Sequence, residues 1–364
     1  MRGRHLPRDR LTTASRLGCG EGRSSGSAIT IREELQSTGI HRSGGPRNGF
    51  RYRRIRGGAV SAAERRRITG LEVPAGWTEV FIARSPSAPV QAVGLDAAGR
   101  WQYLYAASHA ARRARAKFDR LAAFAEAVPA LRRALRRDLR LPGLPRDKAL
   151  ACAVAVIATC FVRAGSEEYA SENGSFGLAT LRGRHVTVNR DCVRFDYRGK
   201  HGQRQQHEFT NRMLARIVAA MLSLPGVEVF KYREEGARVA DVTRRQVNRY
   251  IKQVMGRQFS ARDFRTWAAT LICAGALARL KAPAPKGRSR RRVAAQAIRE
   301  TAAHLGNTDE ICRSSYIHPA VLRAFERGEV VTHAITHPEV LIRHRGTGLD
   351  RAERALLALI QLRS

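Results

Sequence analysis

Lysine is scarce in this chain. Of its 66 basic residues only seven are lysine, at positions 117, 148, 200, 231, 252, 281 and 286, so arginine carries nearly all the positive charge and each lysine is a separate question. Acids are scarce too: 31 of them leave a formal net charge of +35, an excess that persists at any physiological pH and makes a polyanion the default partner. Arginine suits phosphate because its planar fork donates paired hydrogen bonds and its charge is never lost. A G+C-rich genome also favours arginine codons, so the bias supports nucleic acid without proving it.

The six cysteines (Cys19, Cys152, Cys160, Cys192, Cys273 and Cys312) form no CxxC pair, which argues against structural zinc. Four of them sit in apolar stretches where a thiol packs as a small hydrophobe, a usage that fits a reducing cytoplasm. Long apolar runs are also missing. The longest, Ala149 to Val162, is too short to span a bilayer and is closed by Lys148 and Arg163, so it reads as a buried helix; no membrane span or secretory signal is legible. What remains, 364 residues with 43% hydrophobic and 27% charged, fits two globular domains, or one domain plus tails.

Residues 1–45 are rich in Gly, Ser and Arg without a sustained period, which predicts a disordered basic arm; an over-extended start would give a similar leader, and both readings stay open. Residues 46–110 carry short alternating runs such as "EVFIA" and "VQAVGLD", punctuated by Pro and Gly, the texture of a small β-rich domain. Residues 111–328 turn to helical periods, interrupted near 185–209 where "HVTV" and "VRFDYRGK" alternate like hairpin strands. Within this mainly helical domain, Ser260 to Asp263 reads as a capping box, and residues 281–292, with six cations and no acid, read as an exposed linker. Residues 329–364 form a tail with a terminal helix opened by a capping box at Asp350 to Glu353. The fold class is α+β.

Phosphoryl chemistry without a metal needs fixed cations on the nonbridging oxygens, a proton donor for the leaving oxygen and, if covalent, a side-chain nucleophile. Arg163 follows the buried helix, Lys200 sits at the bend "YRGKHG", Arg265 lies in the first turn of a capped helix, and Tyr316 follows in "HLGNTDEICRSSYIHP". Each alone has a bland explanation: a dipole partner, a solvated turn, a packed ring. Physical reading by itself does not choose Tyr316 over the other seven tyrosines.

The joint order of seven strings does. "GFRYRRIRGG", "DAAGRWQYLY", "KFDRLAAF", "RAGSEEYASENGSFGLATLRGRHV", "RGKHG", "FSARDFRTWAAT" and "HLGNTDEICRSSYIHP" together resemble the type IB DNA topoisomerases in their compact bacterial and poxvirus form, over about Gly49 to Pro319. The resemblance implies a C-shaped clamp around double-stranded DNA, acting as a monomer, with the β-rich domain on one face and the catalytic domain on the other. It implies relaxation of supercoils through a 3'-phosphotyrosyl intermediate, without ATP, metal or other cofactor, in the cytoplasm at the nucleoid.

Carried over by position, Tyr316 is the nucleophile, Arg163 and Arg265 bind the nonbridging oxygens, and Lys200 is the general acid. Asn307 stands where poxvirus relatives have histidine; it donates a hydrogen bond but cannot titrate. Gln102, Tyr103 and Tyr105 occupy DNA-touching positions, although strand-core packing would bury the two tyrosines together, since residues two apart share a sheet face. Tyr169 and Arg313 complete the expected DNA contacts. His304 and His318 fall on no family catalytic position and read as structural. "CRSSY" lacks a cation that relatives commonly place before the nucleophile.

Two rival classes fit parts of this pattern. A tyrosine recombinase uses an equivalent Arg, Lys, Arg and Tyr set but typically shows "HxxRH" at the second arginine, where this chain has Arg262 and Thr266 flanking "DFR". A non-catalytic architectural DNA-binding protein fits the charge equally well, but every active-site position is filled.

Overall fold

The computed structural model describes residues 26–167, 170–171, 174–280, 288–329, 331 and 346–362. Between Arg113 and Ala114 the chain divides into two units. The first contains α1 (Gly26–Thr38), β1 (Ile40–Gly45), β2 (Gly49–Arg54), α2 (Ala62–Gly70), β3 (Thr78–Ile82), β4 (Val90–Leu95) and β5 (Trp101–Tyr105). Its five strands form one antiparallel sheet in the order β2-β1-β3-β4-β5.

Alternation along these strands gives the sheet two apolar faces. On one, Ile40, Val80, Ile82 and Ala92 bury Ile68 of α2, a helix opened by a complete capping box between Ser61 and Glu64. On the other, Val90, Val93 and Ala83 bury Leu35 of α1. Both faces being covered explains why arginine is not confined to the outside here. Arg42 is buried and donates to the carbonyls of Val73, Pro74 and Trp77 at 3.1, 3.0 and 2.7 Å, stitching the loop before β3 to β1.

The arm expected through residue 45 therefore ends earlier. Among described residues, 26–38 are helical, 40–45 pair with β2 and 40–42 also with β3, because Leu35 and Ile40 reach the two sheet faces. Residues 1–25 lie outside the described residues.

Helix α3 (Ala107–Asp138) runs from the first unit into the second, which continues with α4 (Arg146–Cys160), β6 (Val186–Asn189), β7 (Cys192–Arg198), β8 (Arg204–Thr210), α5 (Arg212–Leu222), β9 (Lys231–Arg233), β10 (Val239–Asp241), α6 (Arg244–Met255), α7 (Ala261–Leu280), α8 (Arg288–Leu305), α9 (Asp309–Ser315), α10 (Pro319–Glu326) and α11 (Arg351–Gln361). The apolar run read as a buried helix is α4, and the interruption near 185–209 is the antiparallel sheet β6-β7-β8. Helix α7 is buried from Asp263 to Leu277 without an exposed face, as a central helix must be. Phe124 of α3 holds its first turns, meeting Phe264 edge-on at 5.1 Å and Phe259 at 5.5 Å. At its start, the Asp263 carboxylate accepts from both the backbone N–H and the hydroxyl of Ser260.

Two further expectations change. Residues 288–292 of the expected linker are the first turn and more of α8, where Arg–Ser–Arg continues into an apolar face that buries Ala297 and Ile298; residues 281–287 lie outside the described residues. The C-terminal segment, read as a tail, contributes Leu356 and Ile360 to the second unit's core. Its capping residue Glu353 is 1% exposed and doubly bonded by Arg132 of α3 at 2.9 and 2.8 Å.

Candidate active site

Arg163, Arg265, Asn307 and Tyr316 are brought together by four local structures. Helix α4 ends at Phe161, whose left-handed backbone (φ 54°, ψ 26°) turns the chain sharply and delivers Arg163 two residues later. The backbone after it is tied down: Leu178 and Ala179 donate to the carbonyls of Arg163 and Ala164 at 2.8 and 2.9 Å. The two strands of this loop approach so closely at Gly165 and Gly177 that a Cβ on Gly177 would lie 2.5 Å from the Gly165 Cα. Only glycine permits that approach.

Arg265 comes from the second turn of α7 and is 3% exposed. Its guanidinium donates to the carbonyl of Phe161, to that of Leu305 at 2.8 Å and to Asn307 Oδ1 at 3.3 Å. Asn307 is placed by the end of α8. Gly306 is left-handed (φ 58°), Asn307 N donates to Ala302 O and Gly306 N to Ala303 O, the paired bonds of a Schellman turn. Asn307 Oδ1 then accepts from Arg163 Nη2 at 2.7 Å.

Tyr316 follows α9, whose N-terminus is capped by Thr308. The Arg265 guanidinium carbon lies 5.3 Å from its ring centroid. Burial pushes the Tyr316 pKa up, but the charges of Arg265 and then Arg163 outweigh it and leave the phenol below its ordinary value.

The electrostatics are unusual for a protein interior. Neither Arg163 nor Arg265 forms an ion pair among the described residues; both rest on a neutral amide oxygen. Burial and then Arg163 pull the Arg265 pKa down. Three buried nitrogens of this neighbourhood, Arg265 Nε, Asn307 Nδ2 and His207 Nε2, have no hydrogen-bond partner among the described residues. Uncompensated buried charge of this kind costs several kcal/mol, roughly, unless an anion accompanies it. The arrangement is built to receive an anion with several acceptor oxygens.

Lys200 lies apart from the four. It is exposed at the turn between β7 and β8, and its side chain is hydrogen-bonded to none of them. The link between that turn and the cluster is Gln205, 5% exposed, which packs so tightly between two glycines that a Cβ on Gly199 would come within 2.6 Å of it and one on Gly306 within 2.5 Å. Sequence reading missed Gln205 and His207. Burial along β8 alternates, with Gln205, His207 and Phe209 on the inward side, and two polar residues at inward strand positions were the available signal. His207, whose pKa is lowered to about 4 by burial and then by Arg265 and Arg163, is neutral near pH 7.

The other expected residues are dispersed. In the first unit, Gln102 donates to Asp96 at 2.8 Å, Tyr103 is half-buried beside Trp101 and Phe81, and Tyr105 is 39% exposed. Arg313 is exposed on α9, and Tyr169 lies outside the described residues. His318 caps α10, accepting from Ala320 N at 3.1 Å, and its ring meets Phe118 edge-on. No helix among the described residues is long and apolar enough to cross a membrane.

A tyrosine beside one buried and one half-buried guanidinium, neither with a carboxylate among the described residues, is the arrangement that chemistry on a phosphodiester through a side-chain nucleophile requires. The family model "Eukaryotic DNA topoisomerase I, catalytic core" matches residues 106–333, and "Bacterial DNA topoisomerase IB, N-terminal domain" matches residues 49–96. The DNA topoisomerase 1B of Acanthamoeba polyphaga mimivirus is 30% identical over 292 residues, 79% of this chain and 84% of the viral protein. That of Vaccinia virus (strain Western Reserve) is 26% identical over 237 residues, 63% of this chain and 70% of the viral one. The chain belongs to the type IB DNA topoisomerase family.

Proposed function

We propose that this protein relaxes supercoiled duplex DNA by nicking one strand with Tyr316, allowing the free end to rotate, and resealing. The Tyr316 oxygen attacks a backbone phosphorus, forming a 3'-phosphotyrosyl bond as the bond to the 5'-oxygen breaks. One phosphodiester replaces another, so the step needs no ATP. Lys200 gives a proton to the departing 5'-oxygen, and Arg163 assists. Arg163 and Arg265, with Asn307 Nδ2, hold the nonbridging oxygens as charge grows on the pentacoordinate phosphorus. Religation is the reverse attack by the 5'-hydroxyl.

The observation that carries this reading is the pair of guanidiniums, Arg265 buried and Arg163 half-buried, with no carboxylate among the described residues and converging on one amide oxygen beside the tyrosine. In the same reading Gln102, Tyr103, Tyr105, Tyr169 and Arg313 touch the duplex, and the two units close on it as a monomeric clamp. The test is relaxation of negatively and positively supercoiled plasmid in EDTA without ATP, beside Tyr316→Phe, followed by a denaturing gel for protein on a 3' end. Relaxation of both signs by the wild type alone, with a 3' adduct, is the expected result. Binding with an unchanged linking number across salt concentrations overturns it.

A further inference from the structure

Lys117 of α3 has surroundings unusual for a lysine. Its ammonium lies 4.1 Å from the centroid of the Phe118 ring and donates to the carbonyl oxygen of Ser315. Ser315 closes α9 and immediately precedes Tyr316. Carbonyls in the last turn of a helix lack partners within it, and a cation there is favourably placed. On the far side of Tyr316 the main chain is held as well. The Thr270 hydroxyl donates to Thr266 O at 2.7 Å, reaches Tyr316 O at 3.2 Å and accepts from His318 N at 3.1 Å.

The backbone of Tyr316 is therefore gripped at both of its peptide links, by α7 through Thr270 and by α3 through Lys117. We propose that Lys117 is a positioning residue for strand cleavage: by holding the Ser315 carbonyl it fixes the Tyr316 ring on the line of attack. The proposal rests on Tyr316 being the nucleophile. Misplacement of a reacting group by even an ångström is costly to rate while leaving ligand affinity largely intact.

The surroundings give this tie a pH limit. Burial, then Arg262, lower the Lys117 pKa to about 8; Asp263 opposes them, and Arg120, itself 3.8 Å from Asp263, adds to the lowering. Above about pH 8 the ammonium loses its charge and the hold on Ser315 weakens. Arginine at this position keeps its charge throughout.

The experiment is single-turnover cleavage of a DNA oligomer whose short 3' fragment dissociates on nicking, run from pH 5 to 10 with wild type, Lys117→Met and Lys117→Arg. DNA dissociation constants and melting temperatures are measured in parallel. For Lys117→Met we expect a cleavage rate constant lower by about 10- to 100-fold at saturating enzyme, with affinity within about twofold of wild type. Wild type should show a fall in rate above about pH 8 that moves to higher pH in Lys117→Arg. Wild-type cleavage by Lys117→Met, a loss confined to affinity, or a descending limb unmoved in the arginine variant would each overturn the assignment. Tyr316→Phe, run alongside, separates the two readings: if it still cleaves, the nucleophile is wrong whatever Lys117 does.

Discussion

Asn307 Oδ1 accepts hydrogen bonds from both Arg163, at 2.7 Å, and Arg265, at 3.3 Å, so one neutral oxygen holds two like charges in register. Its Nδ2, buried without a partner among the described residues, is left to donate elsewhere. In Asn307→Asp the new carboxylate neutralises the guanidiniums and repels phosphate. Single-turnover cleavage should fall on the order of 10²- to 10³-fold, the cost typical of a removed transition-state donor, with melting temperature maintained or raised. Asn307→His, which restores a donor, should lose much less. Equal losses in the two would contradict the donor role.

The lowered Tyr316 pKa gives the pH profile a direction. In the proposed reaction the phenolate is the attacking form, so the ascending limb of cleavage should have its midpoint below the ordinary phenol value, seen most fully in Lys117→Arg, where the alkaline fall is displaced to higher pH. Burial alone would move that midpoint up; Arg265 and then Arg163 bring it down. Removing either guanidinium should shift the ascending limb to higher pH as well as lowering the plateau. An unmoved limb would mean that the arginines act on phosphate alone.

Gly306 has φ 58°, and a Cβ there would lie 2.5 Å from the Gln205 amide. Gly306→Ala should therefore cost about 1–3 kcal/mol of stability, through left-handed strain and the clash, and should lower cleavage by displacing Asn307. Adding Gln205→Ala should recover part of the stability by removing the clash, while the strain stays. A double-mutant cycle in chemical denaturation reads the two contributions separately.

Glu353 is 1% exposed and serves both as N-terminal capping partner of Asp350 and as the carboxylate for Arg132. Glu353→Ala leaves the Arg132 charge, itself largely buried, with less compensation, a change of roughly 3–5 kcal/mol. We expect a lowered denaturation midpoint with unchanged cleavage per folded molecule. Intact stability would show that α11 is not part of the second unit's cooperative core.

His318 and His207 both have pKa values lowered to about 4 by burial. An unfolded histidine binds a proton near pH 6.5, so between 6.5 and 4 the unfolded chain holds more protons than the folded one. Their contribution to stability is complete above that window and is lost as pH falls through it. His318→Asn, which keeps an acceptor for the Ala320 N–H, should flatten the loss between pH 7 and 5 in urea titrations.

Local patterns carried a good part of this molecule. The run from Ala149 to Val162 could only be a buried helix, and the alternation around Val193 to Phe209 could only be strands, because burial there follows chain-local periods. The capping box at Asp350 was legible for the same reason. What the string hid depends on partners far along the chain. Residues 26–45 read as an arm because two apolar residues, Leu35 and Ile40, anchor them, and no period announces so few. Arg42 reads as surface charge until its three carbonyl partners, more than thirty residues away, are known. Tyr316 was selected by resemblance, not by physics; the phosphate-directed charge beside it became visible only when Phe161, Leu305 and Asn307 converged on Arg265.

Arg265 and Thr270 sit on the same stretch of α7, one reaching the charge cluster and the other the Tyr316 main chain. A helix buried on all sides over this stretch is a stiff rod, so Tyr316 and the guanidinium beside it ride on a single mount. In the proposed reaction, with both held on one helix, the waiting time before resealing is set by the wandering DNA end finding its place again. Torque in the substrate, which sweeps that end past the site faster, should lengthen each episode and let more turns escape.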